Sequence, residues 1–305
     1  MRIVVMGQAA FGEQVLAKLL EEGREVVGVS APAGTPERPD PLAALAAQKG
    51  LPFCVTRDLK KDDGYNAYEA LKPDLNVMAF VTDILAEQVL YTPKLGTIQY
   101  HPSILPRHRG ASAMNWAVIQ GETKTGLTVF WPDKGIDTGP VLLQKEVEVG
   151  PDETMGGLYF QKLFPMGVDA MAEAVALVEA GKAPELGQDE SQATYEPICK
   201  DEHAGIDWSK PAAEVYNLIR GCNPQPGAHT TLRGEPLKIF DCKAEFEPVQ
   251  GNPGEIVDLS DDAIRVALDG GSLIVQRVQP KGSAKVKAPE FITTAGLKLG
   301  ERLGS

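Results

Sequence analysis

The stretch Tyr100-His101-Pro102-Ser103-Ile104-Leu105-Pro106-Arg107-His108-Arg109-Gly110 decides how this chain is read. It follows a short apolar run of strand type over residues 96–100 and precedes a helical run over 113–120. Two prolines and a closing glycine exclude regular structure, so the stretch is expected to be a rigid loop at the end of a strand. It carries two of the four histidines in the chain. In open α/β sheets the loops at the carboxyl ends of strands hold ligands and chemistry. His101 is therefore a candidate site residue by position alone.

Upstream, apolar runs alternate with helical patterns. Ile3 to Met6 reads as a buried first strand. A Gly7…Gly12 turn opens a helix whose apolar face is Val15, Leu16, Leu19 and Leu20. Such a turn either cradles a phosphate at a helix N-terminus or serves tight packing. The turn lacks the middle glycine of a dinucleotide fingerprint, and no acidic residue ends the second strand at 25–29, which favours packing. Residues 31–41 form a Pro/Gly-rich loop, and further strands are expected at 51–55, 75–80 and 97–100 with helices at 42–48, 65–71 and 84–90. This alternation predicts an α/β class: a Rossmann-like, doubly wound, mostly parallel sheet.

Downstream, residues 125–131 and 141–149 alternate as two strands of a hairpin arm, and a long helix is expected over 155–180. The polar, irregular stretch 183–200, with Pro184 and Pro197, is the expected linker. Ser209 is expected to cap a helix through Arg220 striped by Val215, Leu218 and Ile219. Beyond it, short strands at 229–232, 237–240, 254–258, 263–268 and 272–278 predict a small β-barrel. The domains are thus expected at 1–200 and 205–305.

Composition narrows the function classes. The chain has 305 residues, 43% hydrophobic and 24% charged, which is ordinary for a water-soluble fold. No apolar run approaches the roughly 18 residues of a membrane span, and the opening Met1 to Gly7 run lacks a signal-peptide pattern. The scattered Cys54, Cys199, Cys222 and Cys242 fit the reduced thiols of a cytoplasmic protein. His108 and His203 have no partners at ligand spacing, so no metal is expected. A net charge of −12 argues against a large nucleic-acid surface.

A second loop completes the chemistry. In Gly135-Ile136-Asp137-Thr138-Gly139, flanking glycines let the backbone approach a ligand closely while Asp137 projects from a fixed turn. A histidine with a carboxylate is the minimum for general acid–base catalysis, although a strand-end histidine also serves as a structural hydrogen-bonding residue. No nucleophile elbow is present, so a serine triad is unsupported.

Taken together, residues 100–106, Arg109-Gly110-Ala111 and 135–139 resemble the folate-dependent formyltransferase family. The resemblance is greatest to the amino-terminal hydrolase domain of 10-formyltetrahydrofolate dehydrogenase. It extends through Gly7-Gln8…Phe11-Gly12, Ala113-Met114-Asn115-Trp116, Phe130-Trp131, residues 142–146, Ala193-Thr194-Tyr195-Glu196 and Ile206-Asp207-Trp208, nearly the whole chain. It implies a domain binding 10-formyltetrahydrofolate followed by a barrel of OB-like topology. It implies His101 as the group that polarises the formyl oxygen or shuttles a proton, and Asp137 as the essential carboxylate. Asp83, Ile84 and Leu85 would line the pterin pocket through main-chain contacts. Ser103, Ile104, Leu105 and Pro106 would form its other wall.

One departure matters. Most members carry Asn two residues before the histidine as a second oxyanion donor, whereas this chain has Gln99. Its amide is one methylene longer; it either reaches the formyl oxygen or packs as a strand residue. The resemblance implies formyl transfer to a small-molecule amine or to water, through a tetrahedral oxyanion. Transfer to methionyl-tRNA is the alternative. In that relative the early loop is rich in Lys and Arg, but here 31–41 holds only Arg38, beside Glu37 and Asp40, which ranks tRNA lower. A non-catalytic folate-binding module is the alternative of another class.

Overall fold

Side chains of strand β1 (Arg2–Gly7) alternate between two apolar clusters, Ile3 and Val5 in one, Val4 and Met6 in the other. Both faces are covered, which is why the sequence reads as an unbroken apolar run. The computed structural model describes residues 1–35 and 37–305; Pro36, inside the loop expected over 31–41, lies outside the described residues. The chain forms two compact units: residues 1–111, 126–147 and 160–195, and residues 112–125, 148–159 and 196–305.

In the first unit β1 is joined by β2 (Glu25–Ala31), β3 (Phe53–Val55), β4 (Leu75–Ala79), β5 (Thr97–His101), β6 (Lys124–Phe130) and β7 (Val141–Glu148). The sheet order is β3-β2-β1-β4-β5-β6-β7. The first five strands pair in parallel and β6 runs antiparallel to β5. Helices α1 (Ala9–Glu21) and α2 (Pro41–Gln48) cover one face, together with the helix Phe164–Glu179. Residues of α3 (Asp62–Glu69) and α4 (Glu87–Tyr91) cover the other. This is the doubly wound, mostly parallel sheet expected. The strand order reverses beside β1, so the ligand crevice belongs at the carboxyl ends of β1, β4 and β5.

The glycine turn after β1 serves packing. A Cβ on Gly7 would lie 2.2 Å from the Ala79 carbonyl oxygen. The Ala9 amide donates to Asp40 Oδ2 at 2.8 Å, while Oδ1 accepts from the Leu42 amide at 2.9 Å. One carboxylate thus serves the N-termini of α1 and α2, where a phosphate would otherwise be cradled.

Other differences have local causes. The helix expected over 84–90 shortens to α4 because residues 81–86 run as a loop, with Leu85 buried and Ile84 exposed. The helix expected over 155–180 is divided into Met155–Leu158, a wide π turn at Tyr159–Leu163, and Phe164–Glu179. Pro165 in the first turn of the last segment has no amide to donate back, so the α-helical ladder cannot run through it.

The second unit is a small antiparallel β domain with helices. It contains β8 (Ala228–Leu232), β9 (Glu235–Ile239), β10 (Cys242–Glu245), β11 (Ile256–Leu259), β12 (Ile264–Leu268), β13 (Gly271–Val275), β14 (Arg277–Pro280) and β15 (Val286–Lys287). These make two sheets, β10-β13-β12-β11 and β15-β14-β9-β8, around an apolar interior that includes Ile239, Ile264, Val266, Val275 and Phe291. The single strand expected over 272–278 is two. The chain changes sheets at Gln276, whose amide and that of Arg277 donate to the Asp241 carbonyl. The helix Ala212–Gly221 starts at Pro211 rather than at Ser209, whose hydroxyl donates to Asp207 instead. A residue preceding proline disfavours the helical region, so Lys210 cannot begin the helix.

A buried polar node ties β4 to β5 and α4. Fully buried Asn76 donates to the Val89 carbonyl at 2.9 Å and to Thr97 Oγ1 at 3.2 Å, and its Oδ1 accepts from the Tyr68 hydroxyl at 3.0 Å. Burial holds the Tyr68 phenol well above its ordinary pKa, so it remains a donor. Tyr68→Phe removes that donor and leaves a buried amide oxygen unmatched. The variant should be less stable by about 1–3 kcal/mol. Urea unfolding at unchanged m-value measures this; an unchanged midpoint would show that the node contributes nothing.

Candidate active site

β5 delivers His101 to the carboxyl edge of the sheet, 5% exposed. Its Nε2 lies 2.8 Å from the His108 carbonyl oxygen. A carbonyl only accepts, so Nε2 carries the ring proton and Nδ1 is the nitrogen left for chemistry. Nδ1 lies 3.5 Å from Asp137 Oδ2. That is longer than a hydrogen bond, so both atoms retain capacity for a third group between or beside them.

The loop after β5 is fixed from below. The Thr128 hydroxyl donates to the Ser103 carbonyl at 2.7 Å and accepts from the Leu105 amide at 3.1 Å and from Gln144 Nε2 at 3.0 Å. Gln144 also donates to the Leu105 carbonyl at 2.8 Å. One hydroxyl donates once and accepts twice, its full capacity. Ser103 turns its hydroxyl inward to the Arg107 carbonyl at 2.6 Å, and Leu105 is buried. Ile104 and Pro106 are half-buried, so these two keep side-chain surface on the expected wall.

Asp83, Ile84 and Leu85 lie in the loop that leaves β4 at the same edge. Ile84 is 78% exposed while Leu85 packs into the core. The backbone groups of these three residues enter no hydrogen bond among the described residues. No hydrogen bond joins them to His101 or Asp137 among the described residues either. Gln99 is half-buried, two residues before His101, and so shares its face of β5.

The loop between β6 and β7 places Asp137. Asp133 Oδ1 accepts from the Gly135 amide at 3.0 Å and from the Thr138 hydroxyl at 2.5 Å, closing a tight turn. A Cβ at Gly139 would fall 1.7 Å from the Trp131 carbonyl oxygen, so only glycine fits. Asp137 adopts a left-handed φ of 56° and is 8% exposed. Its Oδ2 accepts from the Gly110 amide at 2.8 Å, which joins the two loops.

Part of the expected linker proves to be a strap across both loops. Trp131 donates its indole N–H to the Pro184 carbonyl at 2.9 Å, and Leu186 pairs with Val141 through two backbone bonds of 2.7 and 2.9 Å. Gln188 Nε2 donates to the Asp137 carbonyl at 2.9 Å and to the Gly139 carbonyl at 2.7 Å. Buried Arg109 donates to Gln188 Oε1 at 2.7 Å, to both carboxylate oxygens of Glu190 at 2.6 and 2.9 Å, and to the Tyr195 hydroxyl at 2.6 Å. The Glu190 contact above all raises the Arg109 guanidinium pKa and lowers that of the Glu190 carboxyl. Thr194 accepts the His108 amide on its hydroxyl at 2.8 Å and the Arg109 amide on its carbonyl at 3.0 Å. Sequence reasoning assigned no role to Thr128, Gln144, Gln188 or Arg109. Their only signal was that Arg109, Gln144 and Thr194-Tyr195 fall in runs shared with the family resembled.

Among the described residues no cluster of three or more His, Cys, Asp or Glu side chains is gathered for a metal, and no helix is long and apolar enough to cross a membrane. The four cysteines are free thiols.

Residues 1–175 match the model of the formyl transferase family, and residues 199–296 match its C-terminal domain. Cytosolic 10-formyltetrahydrofolate dehydrogenase of Xenopus laevis is 40% identical over 318 residues, covering 99% of this chain and 35% of that protein. The chain therefore spans about a third of the length of such relatives. Methionyl-tRNA formyltransferase of Trichlorobacter lovleyi is 36% identical over 308 residues, covering 99% of this chain and 96% of the relative. Among solved structures, HypX from Aquifex aeolicus with tetrahydrofolic acid shares the fold at TM-score 0.72 and 22% identity, over 99% of this chain and 48% of that one. The loops bearing His101 and Asp137 lie within the matched segment, and the chain belongs to the formyl transferase family.

Proposed function

We propose that the chain binds 10-formyltetrahydrofolate and moves its formyl group to a small-molecule amine or to water. The observation that carries this is the His101–Asp137 pair: a ring anchored through Nε2, with Nδ1 facing a buried carboxylate 3.5 Å away. The cosubstrate supplies a formyl carbonyl on an aryl nitrogen, which resists attack until its oxygen is stabilised. Protonated at Nδ1, His101 donates to that oxygen as negative charge develops on it. Asp137 holds the charged ring in place, accepts the proton shed by the attacking amine or water, and returns it to the aryl nitrogen as the formyl carbon–nitrogen bond breaks and tetrahydrofolate leaves. Both groups are nearly buried, so their fields are little screened.

The residues around the pair suit a flat pterin rich in donors and acceptors. The backbone groups of Asp83, Ile84 and Leu85, which bond to no described residue, would meet its polar edge. Ile104 and Pro106 would offer apolar surface, with Ser103 and Leu105 contributing their backbone. Gln99, on the face of His101, would supply a second donor to the formyl oxygen. The early loop favours a small acceptor over tRNA, since Arg38 is its only cation and Asp40 is engaged by the α1 and α2 amides.

Incubation with 10-formyltetrahydrofolate, with and without candidate amines, should release tetrahydrofolate. Release without an amine identifies a hydrolase and amine-dependent release a transferase; tight binding with no turnover in either condition overturns the enzyme reading for a folate-binding module. His101→Ala and Asp137→Ala should each lower kcat/KM by roughly 10²–10⁴-fold with the fold retained. Near-normal activity in either would remove that residue from the mechanism. Gln99→Leu should lower kcat about 10–100-fold if its amide donates to the oxyanion; an unchanged kcat makes Gln99 a packing residue.

A further inference from the structure

The strap makes an unusual use of one amide. Gln188 donates both N–H groups of Nε2 to the carbonyls of Asp137 and Gly139, and its Oε1 accepts two bonds from Arg109, at 2.7 and 3.3 Å. All four hydrogen-bonding positions of the side chain are filled. The orientation is unambiguous, because turning the amide over would set N–H against guanidinium and oxygen against two carbonyls. Arg109 is 1% exposed and is itself held by Glu190 and Tyr195, so Gln188 leans on a fixed support. What it grips are the main-chain carbonyls on either side of Thr138, in the turn where Asp137 sits at φ 56°.

We propose that Gln188, backed by Arg109, is a positioning residue of the active site: it fixes the Asp137 turn so that the carboxylate stays on the Gly110 amide and beside His101. The proposal rests on the formyl-transfer reading for its effect on rate, but not for its effect on geometry. A conserved-volume change shows the logic. Gln188→Met keeps the length of the side chain and loses every polar contact. Gln188→Glu keeps one oxygen as an acceptor for Arg109 but sets the other against the two carbonyls. If the grip on the turn is what matters, the two variants behave alike although only one loses Arg109.

The test reads geometry and turnover separately on the full chain. Exchange of the Gly110 amide, followed by NMR, should quicken about tenfold or more in both variants while amides of β1 and β4 keep their rates. With 10-formyltetrahydrofolate, kcat should fall roughly 10–100-fold, as expected for a displaced catalytic group, with KM and tetrahydrofolate affinity within about threefold of the parent. Unchanged Gly110 exchange in Gln188→Met, or exchange that quickens equally at every protected amide, overturns the proposal, as does a kcat equal to that of the parent. A Gln188→Glu protein that behaves as the parent does also overturns it, because the Arg109 contact alone would then suffice. Quickened Gly110 exchange in a chain whose parent form never turns over the cosubstrate sustains the positioning role and sinks the formyl-transfer reading instead.

Discussion

The hydrogen bond from the Gly110 amide to the Asp137 carboxylate is the contact on which the site depends. It joins two loops that reach the same place by different routes. One leaves β5, a central parallel strand; the other connects β6 to β7 at the sheet edge. Each loop is fixed internally, the first by Thr128 and Gln144, the second by Asp133 and the close approach at Gly139. The Gly110 bond and the strap behind it set one loop against the other. A carboxylate accepting a backbone N–H is a charge-assisted contact, stronger than a neutral one, and here it is nearly dry.

The sheet accounts for why the loops meet at all. Burial of both faces of β1 and β4 leaves the ends of these two strands as the place where the chain can turn polar groups outward. Parallel pairing of β1, β4 and β5 puts the carboxyl ends of all three on one edge. The turn after β1 is consumed by Asp40, which leaves the loops after β4 and β5 at that edge.

Much of this was legible in the sequence, for identifiable reasons. Strands such as β1 and β4 announce themselves because buried parallel strands are continuous apolar runs, and the His101 and Asp137 loops because prolines and glycines at fixed positions punctuate the chain. The strap was not legible. Its residues 184–195 are polar and irregular, the pattern of a solvated linker, and their hydrogen bonds go to side chains and carbonyls distant in sequence. Nothing local distinguishes Gln188, whose partners lie 49 to 79 residues away, from a surface glutamine. The strand switch at Gln276 was hidden for a related reason: β13 and β14 share one alternating apolar pattern, and only the partners differ.

The left-handed conformation of Asp137 explains why the turn needs a grip. A residue other than glycine in that region costs about 1–2 kcal/mol, less for Asp than for most. Glycine would relieve the cost but would remove the carboxylate that faces His101. The chain keeps the acid and meets the strain with two hydrogen bonds from Gln188 and one from Gly110, each contributing on the order of 1 kcal/mol. Against that cost the three contacts leave a margin of about 1–2 kcal/mol. Loss of both Gln188 contacts would cancel that margin while the sheet beneath stayed intact, which separates the stability of this fold from the geometry of its site.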